Sequence, residues 1–408
     1  MTLPTKLQCD YFARGECRSC SEIEVSLDAQ IKEKESRVCE ALSDLPISPG
    51  RRSEASEGST NFPLLPTIRS QVSGFRNRAK MAVTGSLETP IIGLVGEGSS
   101  VDSLDQGREI LDCPIHHPAL NAIFNALPDF IRRFQLTPYR IKDRTGELKG
   151  LIAFHSPTRN ETYLRFVLRS RECVSRIKKA LPELRALFPN LVCVTVNLQP
   201  TPHAILEGEV EIVLTAENAI THEVGGIPFR LSPMAFVQTN VLTAEKLYRT
   251  AAEWIRDADV QDGMELYCGQ GAFSFFTAPH VKRFLGVEIN PDAVETANLS
   301  AKLLGYDHLS FVCLDARAGD EGMKQWMRER GRELVLVNPP RRGVGSGIEL
   351  IEEVRPRNFI YSSCEIGSLS NDLRKLTGYQ IERVQIFDLF PHTRHFETLV
   401  WLTTPVTP

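Results

Sequence analysis

Five short apolar runs, at about 263–267, 284–289, 309–314, 333–337 and 358–362, recur over residues 236–408 of this 408-residue chain, mostly separated by helical patterns. A further helical pattern, at about 241–257, precedes them. Strand–helix alternation of this kind implies a doubly wound parallel sheet. That arrangement places ligand-binding groups at the carboxyl ends of the strands.

The preceding stretch, 61–235, reads differently. Thr162–Arg169 alternates at period two, with Leu164, Phe166 and Leu168 on one face and Arg165 and Arg169 on the other, as in a half-buried strand. Leu191–Leu198 behaves likewise, and helical patterns at about 117–135 and 172–187 intervene, so an α+β domain with an antiparallel sheet is expected. Residues 1–60 form a third part, an arm whose first 20 residues hold three cysteines, followed by a polar loop near 50–60. The chain carries 47 basic and 51 acidic side chains and 42% apolar residues, which excludes wholesale disorder and general polyanion wrapping. No apolar run reaches the ~18 residues of a membrane span, and Met1–Cys20 lacks the apolar core of a secretion signal. A soluble, cytoplasmic protein with reduced thiols is the expectation.

Glu265-Leu-Tyr-Cys-Gly269-Gln-Gly271-Ala-Phe-Ser274 runs from a strand through a glycine-rich turn into a helix. Glycines there admit close approach of a ligand. The next strand ends at Glu288, 17 residues after Gly271, where a carboxylate reaches ribose hydroxyls. Ser274 replaces the third glycine of a dinucleotide fingerprint and an acid opens the motif, which favours an S-adenosylmethionine fold over NAD. Asp315 stands either where such folds contact adenine or as a helix cap or surface acid.

Asn338-Pro-Pro-Arg341-Arg342-Gly closes the fourth strand, and Cys364 closes the next one, 26 residues after Asn338. Near the C-terminus, His392-Thr-Arg-His395-Phe-Glu397 adds further ionisable groups. A thiol, a carboxylate and a methyl donor in one crevice suit methylation at C5 of a uracil. That carbon is a poor nucleophile until a thiolate adds at C6, and a base must afterwards remove the C5 proton. Cys364 and Glu397 fit the two roles, with Asn338 orienting donor or base and Arg341 steadying negative charge. The bland alternatives are a small buried cysteine, a solvated histidine turn and a surface acid.

Cys9, Cys17 and Cys20 supply three thiols and Cys113, in a Cys-Pro context, a fourth. Spacing alone leaves a [4Fe–4S] cluster and a structural zinc both open. Ile68–Lys80 holds four positive charges and no acid, and Phe75, Arg76, Asn77, Arg78 and Lys80 there suit phosphate contacts and stacking on an unpaired base. A solvated cationic strand is the alternative.

With these residues in view, the chain resembles the RNA uracil-C5 methyltransferase family, in particular its 23S ribosomal RNA (uracil-747) members. The carrying segments are GFRNRAKM at 74–81, LDCP at 111–114, FVQTN at 236–240, ELYCGQGAF at 265–273, VNPPRRG at 337–343, YSSC at 361–364 and FPHTRHFE at 390–397. The resemblance implies a C-terminal Rossmann-like class I S-adenosylmethionine-dependent domain, with Gln238, Tyr267, Gly269, Gly271, Glu288 and Asn338 at the donor. It implies Cys364 as nucleophile, Glu397 as base, and a [4Fe–4S] cluster on Cys9, Cys17, Cys20 and Cys113. It also implies 23S ribosomal RNA as partner, a monomer, and no TRAM domain. Tyr267, Ala272 and Glu365 depart from residues common in the family. Rival readings are an amino-group methyltransferase using the Asn-Pro-Pro loop and a catalytically silent RNA-binding cluster protein.

Overall fold

The computed structural model describes residues 6–46, 62–95, 105–201 and 207–404. They fold as two compact units, one joining Met1–Cys20 to Gln71–Met234 and the other joining Ser21–Ser70 to Ala235–Pro408. The first sixty residues are thus divided between the units rather than forming a part of their own. Packing explains the division. Tyr11 and Cys17 lie against the apolar core of the first unit. Helix Leu27–Leu42 instead buries Ile31, Val38 and Leu42, and Val38 and Leu42 join the core of the second. Strand β1 (Leu64–Ile68) also belongs to the second unit. The polar loop near 50–60 lies outside the described residues.

The first unit is built on β2 (Arg78–Gly85), β3 (Pro90–Val95), β4 (Gly107–Glu109), β5 (Leu148–Ser156), β6 (Glu161–Leu168), β7 (Leu191–Leu198) and β8 (Val210–Val213), in the order β4-β3-β2-β5-β6-β7-β8. Helices Pro118–Arg133 and Val174–Leu187 lay Leu120, Phe124, Ile131, Ile177 and Leu184 onto one face. The sheet is antiparallel except where β6 pairs with β7 in parallel, because helix Val174–Leu187 returns the chain as a crossover. Arg165 is fully buried rather than on a solvated face, held by Glu207 at 2.6 Å and Glu211 at 2.8 Å. Hairpin β9 (Ile220–Val224) and β10 (Ile227–Leu231) turns on Gly225-Gly226, at φ 59° and 86°, as a two-residue hairpin requires.

The second unit carries β11 (Asp262–Leu266), β12 (Arg283–Glu288), β13 (Leu309–Cys313), β14 (Leu334–Val337), β15 (Asn358–Ser363), β16 (Gln380–Phe387) and β17 (Glu397–Thr403). With β1 they form one sheet in the order β1-β16-β17-β15-β14-β11-β12-β13. β11 to β15 are mutually parallel, whereas β17 runs antiparallel between β15 and β16, and β1 adds in parallel to β16. Leu334-Val-Leu-Val337 is an unbroken apolar run because a central parallel strand is covered on both faces. Burial of each such side chain stabilises by roughly 1.5–3 kcal/mol. The chain winds outward from β11 through β12 to β13, then restarts on the other side at β14. This reversal opens a crevice at the carboxyl ends of β11 and β14.

Candidate active site

At the end of β11 the backbone turns left-handed at Tyr267, Gly269 and Gly271, with φ 61°, 55° and 83°, before helix Ala272–Thr277. Side-chain packing makes one of these glycines obligatory. A Cβ on Gly271 would stand 2.6 Å from the Phe311 ring, whereas one on Gly269 meets nothing within 4 Å. Beneath the turn, buried Glu265 accepts the backbone N–H of Ser274 at 2.9 Å and its hydroxyl as well. Burial pushes the Glu265 carboxyl up to about 8, opposed by those two donors. Glu288 ends β12, its Oε2 accepting from Gly269 N at 3.0 Å and its Oε1 from Asn290 N at 2.9 Å. A carboxylate has about four acceptor directions, so the rest stay available to ribose hydroxyls.

Tyr267 donates its hydroxyl to the Val344 carbonyl at 2.7 Å, tying the donor turn to the loop after β14. That loop is held on its other side by buried Asp372, whose Oδ2 accepts from Val344 N at 2.8 Å and from the Tyr361 hydroxyl at 2.9 Å. Ser368 Oγ donates to the Arg341 carbonyl at 2.7 Å. Asn338 is half-buried beside β11, its N–H 3.4 Å from the Leu266 carbonyl. Gln238 is buried two residues before Asn240, which caps helix Val241–Asp257 and donates to the Leu389 carbonyl at 3.1 Å. Asp315 forms a surface pair with Arg317 at 2.8 Å rather than capping a helix.

Cys364, half-buried, follows β15 directly. Burial pushes its thiol up, nearby Glu397 adds to the effect, and the Arg341 guanidinium opposes both. The thiol therefore lies within electrostatic reach of both the Glu397 carboxyl and the Arg341 guanidinium. Glu397 opens the antiparallel β17 at the same sheet edge and is buried. Its carboxyl is pushed up to about 7 by burial, against the Ser362 hydroxyl that donates to Oε1 at 2.6 Å. His392 is buried and His395 exposed, so the two do not act as one pair.

The arm reaches Cys113 through Tyr11, whose hydroxyl accepts from Leu111 N and Asp112 N, both at 3.1 Å. Arg108 Nη1 donates to the Gly15 and Glu16 carbonyls, each at 3.3 Å. All four thiols are free and half-buried. Burial raises Cys20 to about 12, and Cys113, Cys17 and Cys9 add to that rise, so the four lie within electrostatic reach. Among the described residues no three or more His, Cys, Asp or Glu side chains are gathered to hold a single metal ion. Four thiols are donors that either a [4Fe–4S] group or a zinc ion accepts, so the donor chemistry fits both.

The stretch expected to face RNA is mostly inside the first unit. Phe75, Asn77 and Arg78 are buried, and Arg76 is half-buried with its charge near Cys113 and Cys20. Arg78 and Lys80 pair with Glu207, and of the five residues Lys80 alone is exposed. For Arg78 and Lys80 this follows from β2, which is flanked by β3 and β5, whereas Arg76 lies before that strand and bridges to His116. Four positive charges in sequence do not reveal that placement. Sequence reasoning also passed over Ser362, although it stands two residues before Cys364 in the Tyr-Ser-Ser-Cys segment, and over largely exposed Phe236 in the Phe-Val-Gln-Thr-Asn segment.

Residues 224–405 match the family model described as tRNA (Uracil-5-)-methyltransferase. A Shewanella oneidensis protein named 23S rRNA (uracil(747)-C(5))-methyltransferase RlmC is 37% identical over 401 residues, 98% of this chain and 99% of its own. An Escherichia coli O9:H4 protein of the same name is 37% identical over 399 residues, 97% of this chain and 99% of its own. Among solved structures, Pyrococcus abyssi tRNA (uracil-54, C5)-methyltransferase in complex with S-adenosyl-L-homocysteine superposes with a TM-score of 0.72. That match has 20% identity and covers 94% of this chain and 85% of the other, so it speaks to the fold.

Proposed function

Because this chain belongs to the RNA uracil-C5 methyltransferase family, we propose that it methylates C5 of a uridine in 23S ribosomal RNA, uracil 747 by analogy with its relatives. The observation that carries this reading is the register of β15 and β17, where Ser363 faces Thr398 and so brings the neighbouring Cys364 and Glu397 to the same end of adjacent strands, with Arg341 acting on the thiol and Ser362 bonded to the carboxylate.

The Cys364 thiolate adds to C6 of a flipped uracil, and the displaced electron pair moves onto C5 and the O4 enolate. Arg341 favours the thiolate that begins this step. When bound, S-adenosylmethionine supplies an electrophilic methyl group and leaves as S-adenosylhomocysteine. C5 forms the new carbon–carbon bond, and Glu397 takes the C5 proton. The electron pair of that C–H bond restores the ring double bond as the C6–S bond breaks, returning the Cys364 thiolate. A carboxyl held near 7 suits a base that must be ionised at neutral pH yet accept a proton.

Glu288 is proposed to hold the ribose hydroxyls, the turn at Tyr267, Gly269 and Gly271 to let the donor approach, and Gln238 and Asn338 to orient it. Cys9, Cys17, Cys20 and Cys113 are proposed to hold a [4Fe–4S] cluster, which would fasten the arm; the methyl transfer is polar and needs no electron from it. Arg341 and Arg342, both exposed on the loop after β14, are proposed to contact the RNA backbone. The protein is proposed to act in the cytoplasm as a monomer; among the described residues no helix is long and apolar enough to cross a membrane.

The test uses 23S ribosomal RNA fragments carrying 5-fluorouridine, which cannot lose a C5 proton and so traps the covalent state. The wild-type protein with S-adenosylmethionine is expected to form an SDS-stable adduct, and Cys364→Ala none. Methylation of natural RNA by Cys364→Ala at the wild-type rate would overturn the covalent route. Loss of 5-methyluridine only from a transfer RNA site in a deletion strain would overturn the ribosomal assignment.

A further inference from the structure

The loop between β16 and β17, residues 388–396, delivers Glu397 to the site, and it is gripped by a helix more than 350 residues away in the chain. Gln30 and Lys34 stand four residues apart on helix Leu27–Leu42, hence on one face. Both are buried. Lys34 Nζ donates to Asp388 Oδ1 at 2.7 Å and to the Phe390 carbonyl at 3.4 Å. Gln30 Oε1 accepts from His392 N at 2.9 Å, while its Nε2 donates to the Glu22 and Val25 carbonyls, each at 2.9 Å. Around them, Glu22 N donates to the His392 carbonyl at 2.9 Å, and Arg37 Nη1 donates to the Arg394 carbonyl at 2.6 Å.

Two features show that this contact does more than fill space. A lysine and an aspartate, each almost wholly buried, form a poor stabilising device, because desolvation consumes much of their attraction. Such a pair instead fixes one arrangement of its surroundings. His392 is held at φ 65°, a left-handed conformation that a non-glycine residue keeps only where neighbours over-determine it. Both bonds to His392 backbone groups, from Gln30 and Glu22, fall at that residue.

We propose that Gln30 and Lys34 are positioning residues for Glu397, fixing the loop so that the carboxylate meets the C5 proton after methyl transfer. This inference rests on the reading of Glu397 as the base. Displacement of a reacting group by about 1 Å can cost on the order of 10²-fold in rate. Cys364 and the donor turn lie on other elements, so addition and methyl transfer are expected to survive the loss of these contacts.

Single-turnover reactions on RNA tritiated at uracil C5, with radiolabelled methyl donor, separate the two stages. Lys34→Met is expected to accumulate a methylated, SDS-stable protein–RNA adduct, with tritium release slowed about tenfold or more relative to methyl incorporation. Lys34→Arg is expected to restore part of that release. Gln30→Met, which removes no charge, is expected to show the same separation to a smaller degree and serves where Lys34→Met fails to fold. Folded Gln30→Met protein that binds S-adenosylhomocysteine normally, yet slows both stages equally or neither, would overturn the inference. Wild-type protein that forms no adduct with 5-fluorouridine RNA would instead overturn the covalent reading beneath it.

Discussion

Ser362 donates its hydroxyl to the Glu397 carboxylate at 2.6 Å, joining adjacent antiparallel strands one residue before the pair Ser363–Thr398. The contact opposes the burial that pushes Glu397 up to about 7. Removing it in Ser362→Ala leaves burial unopposed, so the carboxyl titrates higher, by roughly one pH unit for a hydrogen bond to a charged group. The ionised form is the active base. The rising limb of C5 tritium release against pH is therefore expected to move alkaline, with activity lost at neutral pH and recovered above it. The rate of adduct formation on 5-fluorouridine RNA, which precedes the base step, is expected to change little. A tritium-release profile superimposable on wild type would show that Ser362 does not tune Glu397.

Gly271 and Gly269 both hold positive φ, yet their substitutions are expected to differ. Alanine at 269 meets open space and carries mainly the left-handed backbone cost of about 1–2 kcal/mol. Alanine at 271 adds a contact 2.6 Å from the Phe311 ring, which has to shift within a packed core. Thermal unfolding and calorimetric titration with S-adenosylhomocysteine check this. Gly271→Ala is expected to lower the melting temperature more and to weaken binding more.

The parts of this architecture visible in the sequence are those governed by local pattern. The strands near 263–267, 284–289 and 358–362 announced themselves as apolar runs closed by glycine, acid or cysteine, and they are found as β11, β12 and β15. Glu288 could be placed because strand end and turn are close in sequence. β1 could not. It contains Pro66, tolerable because the strand lies at the sheet edge, and its partner Val384 is more than 300 residues from Leu64. The Lys34–Asp388 pair was hidden for the same reason, since an amphipathic helix pattern says nothing about which distant loop its buried lysine meets. Phe75–Lys80 shows a different limit: composition reports charge but not burial, and Phe75, Asn77 and Arg78 are buried in the folded unit.

Cys113 is tied to helix Pro118–Arg133 through Asn121, which donates to its carbonyl at 3.0 Å, while the other three thiols arrive on the arm. A [4Fe–4S] group would therefore bridge segments about a hundred residues apart, and its binding energy would be folding energy for the arm. Cys113→Ser is expected to lose most iron and acid-labile sulfide after anaerobic purification and to expose the Tyr11 region to limited proteolysis. Zinc in place of iron, at one equivalent per chain, would reverse the assignment of the group.

Arg341 pulls the Cys364 thiol back against burial and Glu397. Its carbonyl is pinned by Ser368 and its loop by Asp372 and Tyr267, so the guanidinium is offered from a rigid base. In Arg341→Met the thiol is expected to titrate higher. Arg341 is exposed, so solvent screens part of its field, and its loss leaves less of the thiol ionised at neutral pH. Adduct formation with 5-fluorouridine RNA isolates this step from the Glu397 step. Its rate is expected to fall about tenfold near neutrality and to approach wild type as pH rises, with Arg341→Lys intermediate. A uniform loss at every pH would assign Arg341 to RNA binding rather than to activation of the nucleophile.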